Sequence, residues 1–328
     1  MLSIFYLFFS SLLGFLLLPK LVDFLRLYLL DSPSQRSSHI LPTPRGGGII
    51  FILSPLFSCL FLFPFFGTRV FSDIPSYIFL LPIFFVGLVD DKYNLSPLIK
   101  FFPQLLTCIY LLCNQSMSPA SLILPSYTVY GSVIFICAVI AMVLFVNLVN
   151  FTDGLDGLVS SSFLLPLFTS LYLTSSTPLD WFFLGSLISF LFFNWSPAKI
   201  FMGDCGSLFI GSYYLFIAMR ASSLIEFLIL ISLVSPLILD SLVCLARRLI
   251  SKKNIFKAHR QHLFQRLHSA GWSHSLISLI YASFCLLMSI SALFHSHFLI
   301  TILIILQLFV GYWLEKRYAT PFNFSGIS

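Results

Sequence analysis

The sequence predicts an all-α fold: a polytopic integral membrane helix bundle with ten or eleven transmembrane helices and its functional site on the cytoplasmic face. Three observations predict it. Of the 328 residues, 58% are hydrophobic, 39 are Phe and only 9% are charged, and a water-soluble fold has no means of hiding that much apolar surface. The apolar residues come in long continuous runs, not in ten-residue alternations, which favours helices over a barrel. The polar and charged motifs gather on one side of the resulting map.

The first run, MLSIFYLFFSSLLGFLLLPK, has no basic residue ahead of it, and Lys20 and Arg26 follow it. A secretory signal has the opposite order, so this is read as a retained first span. Eleven candidate spans follow in order: 3–28, 46–66, 75–90, 97–113, 131–149, 158–175, 179–194, 205–220, 224–247, 274–294 and 297–314. Several are short and carry Pro or Gly, so tilted or broken helices are expected. The connections are short and no internal repeat is visible, so residues 1–328 are expected to form a single membrane domain. The seven Cys are scattered singly, with neither a disulfide framework nor a zinc spacing.

Orientation follows from the basic residues. With the N-terminus outside, all of the 18 Lys and Arg except Arg69 and Arg220 fall in inner segments, as the positive-inside rule requires. The net charge of +6 is then a topological bias with some contact to anionic membrane lipids. It calls for no nucleic acid. On this map DSPSQRSSHILPTPRGGG, GLVDDKYNLSPLIK, NLVNFTDGLDG, NWSPAKIFMGDCGS and KKNIFKAHRQHLFQR all face inward. The outer loops are bland. Five motifs on one face argue for one cytoplasmic site.

Each motif has a chemical and a bland reading. Asp153 and Asp156 share a helical face if their segment begins a helix; negative charge at a helix N-terminus is also ordinary capping. Gly154 and Gly157 leave room for a ligand near the backbone, and Asn147 and Asn150 add uncharged oxygens of the kind magnesium accepts. Asp204, between Gly203 and Gly206, taken alone reads as an N-cap. Asp90 and Asp91 are neighbours, about 100° apart on a helix; one is expected to meet substrate and the other to pair with Lys92 or a nearby base. Five inner acids repel one another and ask for a cation. The oxygen donors, without a Cys/His cluster in the sequence, point to magnesium, with manganese an acceptable substitute. Lys100 and the basic segment 257–266 add fixed positive charge, completing a phosphate-handling set. His259 and His262, at i and i+3 beside Arg260 and Arg266, either bind phosphate oxygens or belong to a solvated segment near anionic lipid. His39 is a weaker candidate. Arg45, in a turn read as a flexible hinge, clamps a phosphate or anchors the second span. Asp240 lies inside a span, either a functional acid or a structural partner of Arg247 and Arg248.

Together GLVDD, NLVNFTDGLDGL and FMGDCGSLFIG closely resemble the polyprenyl-phosphate N-acetylhexosamine-1-phosphate transferases, and the match runs in order from DSPSQRSSH to HRQHLFQR. The resemblance implies a ten- or eleven-helix bundle with a cytoplasmic active site in the bacterial inner membrane. It implies transfer of a sugar-1-phosphate from a UDP-N-acetylhexosamine donor to undecaprenyl phosphate, with release of UMP. It implies that Asp204 binds magnesium, that Asn150 lies near the metal or pyrophosphate, that Asp90, Asp91 and Lys100 belong to the catalytic site, and that Asp153 and Asp156 lie near the metal-diphosphate and the uracil. Catalytic roles are thus expected for Asp90, Asp91, Lys100, Asp153 and His262. Substrate contacts are expected from Arg45, Asn147, Asp156, His259, Arg260 and Arg266. A homodimer is among the expected assemblies.

The family's last motif often reads His-x-His-His; here it is His262, Leu263, Phe264, Gln265. HRQHLFQR, with RSSH and TPRGGG, looks most like the members that initiate O-antigen (lipopolysaccharide) synthesis with FucNAc or QuiNAc. The alternatives are members using UDP-GlcNAc or UDP-MurNAc-pentapeptide, for enterobacterial antigen, teichoic acid or lipid I. The expected chemistry is in-line attack of a lipid-phosphate oxygen on the sugar-bearing phosphorus, with a covalent aspartyl route as competitor. The reading from a different class is a cation-coupled secondary transporter. Such proteins place their acids near the midplane between repeated halves, which this sequence does not show. A CDP-alcohol phosphotransferase would need a D-G-x-x-A-R run that is missing.

Overall fold

A computed structural model describes residues 2–32, 41–71, 74–114, 129–254 and 259–322. His39 and Lys257 lie outside the described residues. Within them the protein is almost wholly helical. In chain order the helices are α1 (Leu2–Tyr28), α2 (Ile50–Phe66), α3 (Ile74–Ile78), α4 (Leu81–Tyr93), α5 (Pro97–Asn114), α6 (Val129–Thr152), α7 (Leu158–Leu173), α8 (Pro178–Asn194), α9 (Gly203–Ala218), α10 (Leu224–Ser232), α11 (Ser235–Ile250), α12 (Leu263–Ser269), α13 (His274–Leu293) and α14 (His297–Arg317).

Helix α9 is the axis of the bundle. Every one of its residues is buried except Asp204, as expected of a helix that is apolar all round. It packs on α4, α6 and α7, while α1 lies along α8 and α2, and α13 along α7. Small polar residues let the outer helices approach and hold them together. Ser10 Oγ lies 2.8 Å from Ser54 Oγ and donates to the Phe182 carbonyl at 2.7 Å, and Ser54 Oγ donates to the Ser10 carbonyl at 2.7 Å. Apolar side chains cover the outside, among them Phe8, Leu12, Leu16, Phe65, Phe298 and Phe309. Tyr312, Trp313 and Tyr318 sit near the C-terminal end of α14, where aromatic residues suit a headgroup boundary. The protein is thus an all-α, multi-pass membrane protein.

Length and composition alone mark about half of the expected spans. Among the described residues five helical stretches are long and apolar enough to cross a membrane: Leu2–Tyr28, Gly47–Phe71, Gly131–Thr152, His274–Leu293 and His297–Arg317. A sixth is obtained if α10 and α11, bent by 81° about Leu233–Val234, count as one span. The expected spans 97–113, 158–175 and 179–194 are the shorter apolar helices Pro97–Cys113, Leu158–Leu173 and Pro178–Asn194. A 16-residue helix such as α7 is only about 24 Å long, short of a typical ~30 Å hydrocarbon core.

Candidate active site

The site gathers where α4, α6 and α9 end on one side of the bundle. The approach of α9 to its neighbours decides its shape. PTPRGGG, expected to be a flexible hinge, is instead packed against the segment entering α9. Phe201 N–H donates to the Pro44 carbonyl, and Gly47 and Gly48 N–H donate to the Phe201 and Met202 carbonyls, all at 2.8–2.9 Å. A Cβ on Gly48 would overlap the backbone of Gly206, so the glycines serve contact, not mobility. Leu30–Asp31 pairs antiparallel with Thr43–Pro44, and Asp31 accepts from Arg45 Nη2 at 2.8 Å.

The adjacent acids diverge, as their helical spacing predicts, though neither pairs with Lys92. Asp90 Oδ2 lies 2.9 Å from Lys100 Nζ, and the same ammonium lies 2.9 Å from Asp204 Oδ2. Asp90 also touches the Asp204 carboxyl directly and accepts Leu95 N–H at 2.6 Å. Asp91 turns to the start of α9, accepting the backbone N–H of Asp204 at 2.8 Å and of Cys205 at 3.2 Å. Asp91 is therefore the cap of α9, supplied from another helix, and Asp204 is freed from the capping role that its position suggested. Gly203 makes this possible: its φ is 74°, and a Cβ there would overlap the Asp91 carboxylate.

Asn150 hydrogen-bonds Asp204 and donates to Ser207 Oγ at 2.8 Å. Asp153 lies within electrostatic reach of Asp204, Asp91 and Arg45, and its carboxyl makes no hydrogen bond among the described residues. Burial, then the Asp204 and Asp91 carboxylates, push its carboxyl up to about 8.

The expectation that Asp153 and Asp156 share a helical face is corrected. Helix α6 ends at Thr152 and α7 begins at Leu158, so 153–157 is a turn and the two carboxylates part. Asp156 Oδ2 lies 3.1 Å from His274 Nδ1 and accepts Ala198 N–H at 3.2 Å. Burial alone would raise Asp156; the bonds from His274, Ala198 and Ser196 outweigh it and hold the carboxyl below its ordinary value. The space over Gly154 and Gly157, expected to admit a ligand, is taken by Phe264 and by Trp195.

Two further candidates are engaged elsewhere. Asn147 Nδ2 donates to Gln104 Oε1 at 2.6 Å and to the Val143 carbonyl at 2.8 Å, joining α6 to α5. Arg266 is buried, 3.0 Å from Glu315 Oε1 and 3.1 Å from the Thr320 carbonyl. Asp240 pairs with neither Arg247 nor Arg248. It accepts Leu263 N–H at 2.7 Å, Phe264 N–H at 3.2 Å and Tyr281 Oη at 2.7 Å, fixing the start of α12. Arg247 instead reaches Glu315.

His262 caps the same helix end and is buried. Its ring stacks on His259 at 5.1 Å and Phe264 at 5.4 Å, and Phe151 lies 6.5 Å away. Burial keeps both imidazoles neutral: His259 is pushed down to about 4, with His262 and Arg248 adding to the effect, and His262 also falls below its ordinary value. Arg260 is half-buried on the same loop. The loop and the start of α12 thus wall the end of α6 and the turn after it, at Phe151 and Gly154.

Sequence reasoning missed His274, Gln104, Glu315 and Asn194. Asn194 ties Gly157 N–H at 3.1 Å, Ser160 Oγ at 2.8 Å and the Ile200 carbonyl at 3.0 Å. Its place at the head of NWSPAKIFMGD was the one available signal.

A family model described as Glycosyl transferase family 4 matches residues 74–222. The chain is 30% identical, over 87% of its length and 83% of the relative's, to a probable undecaprenyl-phosphate N-acetylglucosaminyl 1-phosphate transferase of Bacillus subtilis. It belongs to the polyprenyl-phosphate N-acetylhexosamine-1-phosphate transferase family. This transferase is also 29% identical, over 88% of its length and 90% of the relative's, to an undecaprenyl-phosphate alpha-N-acetylglucosaminyl 1-phosphate transferase of Thermotoga maritima. It is 31% identical, over 76% of its length and 80% of the relative's, to a phospho-N-acetylmuramoyl-pentapeptide-transferase of Campylobacter jejuni. The transferase is therefore an enzyme, and its relatives divide between two kinds of named donor group.

Proposed function

We propose that the enzyme transfers an N-acetylated amino-sugar 1-phosphate from a UDP-sugar to undecaprenyl phosphate at the cytoplasmic face of a bacterial inner membrane, releasing UMP. The observation that carries the reading is the meeting of Asp90, Asp204 and Lys100 beside Asn150, Asp153 and Arg45. These groups come from widely separated stretches of the chain. The donor set also fits a magnesium ion, with manganese as a substitute: the oxygens of Asp204 and Asn150 are hard, and the Asp153 carboxyl has no hydrogen bond among the described residues. Bound by Asp204 and Asn150, magnesium would supply charge neutralisation for the diphosphate and its leaving UMP.

The protein's own groups do the rest. An oxygen of the lipid phosphate forms a bond to the sugar-bearing phosphorus as the bond from that phosphorus to the UMP oxygen breaks, and the electron pair leaves on UMP. Both reactants are anions, so orientation and neutralisation are the main barrier. Lys100 and Arg45 hold phosphate oxygens. The lipid phosphate is ionised near neutral pH, so Asp90 keeps Lys100 in place rather than removing a proton. Asp91 and Asp156 act through the backbone they fix, and Asn147 and Arg266 through the helices they join. His259, Arg260 and His262 form the edge that meets the donor.

The finer reading of the donor is FucNAc or QuiNAc for O-antigen initiation, supported by the HRQHLFQR form of the loop. The names of the Bacillus and Thermotoga relatives favour N-acetylglucosamine as the second reading. Ten or eleven spans, with α4, α5, α7, α8 and α9 counted, and an outside N-terminus complete the proposal. The test is Asp204→Asn in membranes supplied with undecaprenyl phosphate, a panel of UDP-N-acetylhexosamines and excess magnesium. Loss of UMP release and of a butanol-soluble lipid product is expected; near-normal turnover overturns the assignment. Transport of a solute without such a product would favour the transporter class.

A further inference from the structure

We propose that Cys244, His259 and His262 form a second metal site, for zinc, separate from the carboxylates around Asp204. Their donor atoms all lie within 4.8 Å of one another, although the residues come from α11 and from the loop before α12. Cys244 is 2% exposed and His262 also 2%. The Nδ1 atoms of His259 and His262 are both buried and without a hydrogen-bond partner. A buried nitrogen left without a partner is costly, and two in one stacked pair of rings call for something that both can bind.

The donor chemistry selects the ion. One thiolate and two imidazoles suit zinc, not magnesium, which takes oxygen ligands. Three protein ligands leave a fourth tetrahedral position for water or a substrate oxygen. Zinc bonds of about 2.0–2.3 Å place donor atoms roughly 3.3–3.7 Å apart, so the loop must draw in by about 1 Å. The frame allows this. Asp240, one helical turn before Cys244, already holds the Leu263 and Phe264 N–H groups, and Cys244 rides on α11 itself. Binding releases the thiol proton, and the thiolate with Asp240 offsets the two charges of the ion, beside the guanidinium of Arg248. That guanidinium is occupied by Gln261 Oε1 at 2.5 Å and the Asn254 carbonyl.

The ion would pin the loop carrying Arg260 against α11, next to the turn that carries Asp153. The sequence conceals the site because Cys244 belongs to an apolar helix, with no ligand spacing to the two His.

The experiment uses the full chain in detergent, stripped with a chelator and titrated with Co2+ as a spectroscopic probe and then with Zn2+. One Co2+ per chain with a thiolate-to-metal charge-transfer band is expected, bleached by Zn2+. Cys244→Ser should abolish the band and weaken zinc binding by about 100-fold or more, and His259→Ala should act in the same direction, both without loss of the near-UV dichroism of the folded protein. Asp204→Asn should leave the band intact, so the outcome is independent of whether the transferase reaction has been assigned correctly. Absence of a thiolate band in the folded wild-type protein, or its survival in Cys244→Ser, overturns the proposal.

Discussion

At the scale of single residues, Lys100 is the most informative group in the site. One ammonium at 2.9 Å from each of two carboxylates makes Asp90 and Asp204 tolerable neighbours. Replacing it with Met is expected to lower kcat by about 10²-fold or more, the scale associated with removing one preorganised charge partner. The dependence on magnesium should steepen as well, since the divalent ion must then offset both acids; steady-state assays across magnesium concentrations check this. Asp153 gives a prediction of definite sign. Its carboxyl sits at about 8, above the ordinary ~3.9 of the unfolded chain. In metal-free protein its contribution to stability is therefore complete below about pH 4 and is lost as pH rises through about 8. Binding of magnesium beside it should expel a proton at neutral pH. Calorimetric titrations at pH 6.5 and 8.5 should show tighter binding at the higher pH, a difference that Asp153→Asn removes.

At the scale of elements, helix ends carry much of the meaning. α9 is capped by Asp91 of α4, and α12 by Asp240 of α11. Gly203→Ala, which combines a positive φ with overlap at the Asp91 carboxylate, is expected to destabilise the protein by about 1–3 kcal/mol and to reduce activity with it; thermal melts in detergent check the first part. At the other end of α9, Arg220 lies 2.6 Å from buried Asp180, which also accepts Tyr213 Oη at 2.6 Å. Arg220→Ala strands that carboxylate and should cost about 3–5 kcal/mol, with no specific effect on the Michaelis constant.

These ends also show what a sequence can reveal. That Asp90 and Asp91 take separate roles followed from helical spacing alone, and the convergence of their motif with FMGDCGS and NLVNFTDGLDG followed from sidedness. The parting of Asp153 from Asp156 did not, because an i, i+3 pair reads alike in a helix and in a turn. Nor did the pairing of Asp156 with His274, or of Arg266 with Glu315: each joins residues far apart in sequence, and nothing local marks either partner.

At the scale of the whole molecule, hydropathy gave the class and the approximate bounds of the helices: the expected 97–113 and 179–194 are Pro97–Asn114 and Pro178–Asn194. Most residues of α7 and α8 are buried against neighbouring helices, so composition alone does not distinguish burial in protein from burial in lipid. Orientation is open to direct measurement. A cysteine placed at Lys252, an exposed residue just after α11, is expected to react with a membrane-impermeant maleimide in inside-out vesicles and not in right-side-out ones. The reverse pattern would invert the proposed topology.

The lateral cap on α9 has a mechanical consequence. Since a carboxylate of α4 grips the first peptide groups of the central helix, those two segments are obliged to travel as one rigid body.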